Sequence, residues 1–142
     1  MPVTNGAAEP TRSISSAVGP GLEAPRQARA LVRRHLKHWQ AEQVLDDALL
    51  LVSEVVTNAV RHGSSDVVLT LSETGDEVRV EVFDSSPLEP VLVPFTDEHQ
   101  WGRGIALVNA LSCRWGVEPA PPRGKRVWFV IGPDCPAHSS SN

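Results

Sequence analysis

Cysteine is scarce in this chain: Cys113 and Cys135 are the only two among 142 residues. Two cysteines cannot make the disulfide framework of a small secreted scaffold, and their surroundings lack the partners of a zinc set. The pattern reads Cys113 as a small core residue and Cys135 as part of a polar tail. A basic excess is also missing. With 13 Lys+Arg against 17 Asp+Glu, the formal net charge is −4. A protein that neutralises nucleic-acid phosphates usually carries a basic face, so direct nucleic-acid binding is not expected. The local group Arg26, Arg29, Arg33, Arg34 and Lys37 has the spacing of a solvated helix face. Long apolar runs are absent too. Ala48 to Val52 and Val127 to Ile131 are far too short to cross a bilayer. No basic start followed by an apolar block opens the chain, so the expected compartment is the cytoplasm.

What is present suits one soluble domain. A composition of 41% hydrophobic and 21% charged residues can bury a core at this length. Residues 1–11 read as a disordered lead-in, 12–133 as the domain and 134–142 as a disordered tail. Thr11 to Val18 fits an edge strand, closed by Gly19-Pro20-Gly21. From Ala24 to Trp39, the residues Ala28, Leu31, Val32, His35, Leu36 and Trp39 recur at three- and four-residue steps, an amphipathic helix. A second helix carries Val44, Leu45, Ala48, Leu49, Val52, Val55, Val56 and Ala59 on one arc. Asp46 and Asp47 lie near its start, where the helix dipole favours negative charge, and Gly63 is placed to cap its end. Asp47, Glu54, Asn58 and Arg61 gather on one flank of the same helix.

Two strands follow, with the turn predicted at Glu73-Thr74-Gly75-Asp76. Val67, Leu69 and Leu71 share a face of the first; Val78, Val80 and Val82 share a face of the second. That parity continues to Asp84, so alternation sets a carboxylate on the core-facing side at the strand's end. Residues 85–101 hold three prolines and no clear period, which reads as a long loop of the lid or binding type. Gly102-Arg103-Gly104 opens a third helix with the stripe Ile105, Val108 and Leu111. Val127, Phe129 and Ile131 alternate in a closing strand, and Cys113 to Val117 fits another. The order of elements predicts an α+β fold, a two-layer sandwich with a mainly antiparallel sheet and helices on one face.

Taken singly, the polar candidates are ambiguous: a Glu and an Asn at i and i+4 also occur on ordinary helix surfaces. Their order along the chain is more specific. Ser53-Glu54-Val55-Val56-Thr57-Asn58-Ala59-Val60-Arg61-His62-Gly63 resembles the N-box of the GHKL (histidine-kinase-like) ATPase superfamily. Val82-Phe83-Asp84 resembles the strand that ends in its adenine-reading aspartate. Gly102-Arg103-Gly104-Ile105-Ala106-Leu107 looks like its second glycine box. Arg123-Gly124-Lys125-Arg126-Val127-Trp128-Phe129 is similar to its last glycine turn and strand. The resemblance spans about residues 22–132 and is strongest to the anti-sigma-factor serine/threonine kinase branch.

That resemblance implies ATP and Mg²⁺ as cofactors, with Glu54 as general base and Asn58 as the metal ligand. A neutral amide oxygen plus phosphate oxygens is a sensible Mg²⁺ shell, and a carboxylate one turn away is placed to accept a proton. It implies that Asp84 accepts a hydrogen bond from the exocyclic amine of adenine. Gly102, Arg103, Gly104 and Ile105 would receive phosphates at a helix N-terminus, with Gly124 in the closing turn. Ser85-Ser86-Pro87 stands where the superfamily has a glycine-rich box, so the Ser86 hydroxyl is expected to supply contacts there. The implied function is an ATP-dependent kinase phosphorylating a small antagonist protein, with a sigma factor as a further partner and room for a homodimer. The alternatives are a catalytically inactive ATP-binding switch and the catalytic half of a split histidine kinase.

Overall fold

Alternating apolar residues decide which way the sheet faces. In a computed structural model of the chain, which describes residues 10–61, 66–86, 107–133 and 135, five strands form one sheet. They are β1 (Arg12–Val18), β2 (Val67–Thr74), β3 (Glu77–Asp84), β4 (Arg114–Pro119) and β5 (Lys125–Ile131). Their spatial order is β1-β2-β3-β5-β4, and every neighbouring pair is antiparallel. Helices α1 (Glu23–His38) and α2 (Leu45–Arg61), with a 3-10 turn at Glu42–Val44 between them, precede β2. This is the expected α+β sandwich with an antiparallel sheet.

The core lies between the sheet and these helices. Val67, Leu69 and Leu71 of β2, Val78, Val80 and Val82 of β3, and Val127, Phe129 and Ile131 of β5 are all buried in one cluster. Ala24, Ala28, Val32 and Leu36 supply the α1 side of it at four-residue spacing. From α2 come Ala48, Leu51, Val52, Val55, Val56 and Ala59. A fully buried Val, Leu, Ile or Phe contributes about 1.5–3 kcal/mol. Leu51, outside the expected apolar arc, is completely buried. The reason is that α2 packs against α1 as well as against β2, β3 and β5, which takes a wider apolar face than one layer needs.

The β2–β3 turn is tighter than expected: Thr74 pairs with Glu77, leaving Gly75 and Asp76 to turn the chain. Beyond the loop, residues 107–111 are helical, and Val108 is wholly buried in the core cluster. Ser112 ends this helix with its hydroxyl donating to the Val108 carbonyl at 2.6 Å. The Trp115 Nε1 donates to Asn109 Oδ1 at 3.0 Å, tying the helix to β4.

The cysteines differ from expectation. Cys113 is only partly buried and is disulfide-bonded to Cys135 across 22 residues, with the Cα atoms 5.0 Å apart. Antiparallel pairing explains the meeting. The Cys113 N–H donates to the Val130 carbonyl at 2.7 Å, which sets Cys113 beside the end of β5 just before the chain reaches Cys135. Several expected features lie outside the described residues: residues 1–9 of the lead-in, His62 and Gly63, most of the predicted lid, Gly102 through Ile105, and most of the tail.

Candidate functional site

Helix α2 presents the first pair. Glu54 is partly exposed, while Asn58, one turn further on, is only 3% exposed. The flank is therefore not a wet surface at Asn58. No described residue hydrogen-bonds the Asn58 amide. The amide is still not sealed off, because among the described residues the only fully buried side-chain nitrogen or oxygen without a partner is Trp128 Nε1. Just before this pair, the Ser53 hydroxyl accepts a hydrogen bond from Arg29 of α1 at 3.2 Å, which links the two helices there.

The second group assembles at one end of the sheet. Asp84 is the last residue of β3 and lies on the core-facing side, as its parity predicts. It is 2% exposed. Directly across the ladder stands Lys125, the first residue of β5, itself 1% exposed. The Lys125 Nζ lies 3.1 Å from Asp84 Oδ1 and 3.0 Å from Oδ2. The backbone N–H of Ser86 also donates to Oδ1 at 2.9 Å. Ser86 is buried, and its observed role is to hold the carboxylate through the main chain.

Gly124 closes this corner. Its φ is +106°, a region that side chains other than glycine's rarely enter. A Cβ there would collide with the Asp84 carbonyl and lie 3.0 Å from Phe83 Cε1 and 3.1 Å from Ser85 Cα. The turn between β4 and β5 is thus pressed onto the end of β3, and the Gly124 carbonyl accepts from the Ala120 N–H at 2.9 Å.

Chain connectivity relates the two groups. Val67 opens β2 directly opposite Asp84, and the Ser85 N–H donates to the Asp66 carbonyl at 3.2 Å. The segment arriving there comes from the C-terminal end of α2, the end that carries Asn58. Helix α2 also packs on β3 and β5, the strands that end in Asp84 and begin with Lys125. Gly102, Arg103, Gly104 and Ile105 lie outside the described residues, so their expected phosphate contacts rest on sequence.

Lys125 is the residue that motif reading passed over. Counting back by twos from Ile131 through Phe129 and Val127 puts Lys125 on the core face beside Asp84. A lysine at a core parity position was the available signal. Among the described residues no cluster of three metal-binding side chains occurs. One amide oxygen completed by phosphate and water is a shell that would suit Mg²⁺.

A helix pair over an antiparallel sheet, with a Glu–Asn helix and an aspartate at a strand end, defines a class of nucleotide-binding domain. A family model described as histidine kinase-like ATPase domain matches residues 20–131. The chain belongs to that family. It is also similar to an uncharacterized protein of Streptomyces coelicolor, 39% identical over a 75-residue alignment that covers 47% of this chain and 69% of that protein. No described helix is long and apolar enough to cross a membrane.

Proposed function

We propose that the chain is an ATP-dependent serine/threonine protein kinase of the anti-sigma-factor type, acting on a small antagonist protein. The supporting observation is Asn58, buried on α2 with the partly exposed Glu54 one turn away on the same helix. An amide oxygen in that setting suits a Mg²⁺ ion bound with the phosphates, and Mg²⁺ when bound neutralises phosphate charge. Asp84 takes the adenine amine, while Gly102, Arg103, Gly104 and Ile105 receive the phosphates. Glu54 then accepts the proton of an incoming serine hydroxyl. The seryl oxygen bonds to the γ-phosphorus, and the bond to the β–γ bridging oxygen breaks with its electron pair leaving on ADP. Incubating the protein with labelled ATP and a candidate antagonist tests this reading, and the label should move to a serine or threonine of the antagonist.

A second reading, a nucleotide-dependent switch without phosphotransfer, draws on Ser85-Ser86-Pro87 in place of a glycine-rich box. It predicts that ATP alters affinity for a partner, such as a sigma factor, while no label moves.

A further inference from the structure

The Asp84–Lys125 pair is an unusual way to finish a sheet. Along β3 and β5 the facing rungs are Val78 with Ile131, Val80 with Phe129 and Val82 with Val127, and then Asp84 with Lys125. Apolar side chains would continue that ladder without desolvating two charges. Replacing a buried ion pair by well-packed hydrophobic residues is often neutral or stabilising. Stability alone therefore gives little reason for this rung. The corner is also constructed around it: Gly124 lets the turn close onto Asp84, and the Ser86 N–H fixes one carboxylate oxygen.

We propose that Lys125 is a specificity-determining positioning residue, which fixes the Asp84 carboxylate so that it distinguishes an amino group from a carbonyl at C6 of a purine. The inference rests on the nucleotide-site reading above, because it takes Asp84 as the group that meets the base. A carboxylate only accepts hydrogen bonds, so it pairs with the amine of adenine and repels the carbonyl oxygen of hypoxanthine. That discrimination depends on the carboxylate being held in one orientation. The ammonium within 3.1 Å of both oxygens holds the carboxylate in place, and the ladder register sets its direction. Lys125 acts through Asp84 and needs no contact with the base.

The test compares ATP with ITP, which carries a carbonyl where ATP has the amine. Affinities for both are measured by calorimetry, alongside thermal unfolding, for the wild type and for Lys125→Met, Lys125→Gln and Asp84→Ala. The wild type should favour ATP by about tenfold or more. Lys125→Met should lose most of that ratio, and Lys125→Gln, which keeps a neutral N–H donor one bond shorter in reach, should recover part of it. A purely structural lysine would lower the melting temperature and leave the ratio unchanged in both variants, which overturns the inference. Should Lys125→Met fail to fold, Lys125→Gln alone decides: a reduced ratio supports the role and a wild-type ratio overturns it. If Asp84→Ala binds ATP as the wild type does, the nucleotide-site reading fails and this inference with it. If Asp84→Ala weakens ATP while Lys125→Met keeps the ratio, only the role of Lys125 fails.

Discussion

Gly124 and Asp84 touch backbone to backbone, so closely that a single methyl group on Gly124 would overlap the Asp84 carbonyl oxygen. With its φ of +106°, this glycine is required by packing and conformation together. Gly124→Ala should destabilise the fold by about 2 kcal/mol or more, since a strained backbone alone costs about 1–3 kcal/mol. Urea unfolding measures it; an unchanged midpoint would show that the turn relaxes freely. A glycine serving only a phosphate would instead leave stability intact and weaken ATP.

Asn58 should show the opposite balance. Its amide has no partner among the described residues, so Asn58→Ala removes no hydrogen bond from the described fold. The substitution should leave stability within about 1 kcal/mol of wild type while abolishing the Mg²⁺-dependent tightening of ATP binding. Calorimetry with and without Mg²⁺ reads the second effect, and a metal dependence that survives would remove Asn58 from the metal site.

Much of the fold was legible because its periodicities are strong. The twos of β2, β3 and β5 and the threes and fours of α1 gave element order, facing residues and the burial of Asp84. What parity could not give was tertiary context. Leu51 is buried because α2 has neighbours on two sides, which no single-helix wheel records. Cys113 and Cys135 meet because β4 and β5 pair, a contact between residues far apart in sequence. Lys125 lay within reach of parity, but a charge beside a glycine turn reads as solvated until the opposite rung is known. The described part of the candidate site, Glu54, Asn58, Asp84, Ser86 and Gly124, follows from motif resemblance. The physical roles of Ser86 and Gly124 came only with the backbone geometry.

The disulfide should matter to stability. It lies at the end of the sheet away from Asp84, and it closes a loop across 22 residues. The chain-entropy estimate for a loop of this size is about 3 kcal/mol. Reduction should lower the unfolding midpoint, and Cys113→Ser should match the reduced wild type and no longer respond to reductant. A midpoint indifferent to reductant would mean that the bond contributes nothing to stability.

His35 supplies a pH dependence. Its pKa is lowered from the ordinary 6.5 by desolvation first, and then by the positive charges of Arg34 and His38. The unfolded chain therefore binds this proton more readily than the native one, and stability falls as pH drops below about 6.5. The loss levels off once pH passes below the lowered native value. His35→Gln should flatten this part of the stability profile; an identical slope in the variant would assign the effect to other groups.

The central claim, that Glu54 serves as base in a phosphotransfer site, is tested most directly by separating binding from chemistry in Glu54→Ala. Calorimetry gives the affinity for ATP with Mg²⁺, and transfer of labelled phosphate to the antagonist gives the rate. The account predicts near wild-type affinity and a rate reduced about a hundredfold or more, the usual size of a general-base contribution. Transfer at an undiminished rate by the folded variant would contradict it.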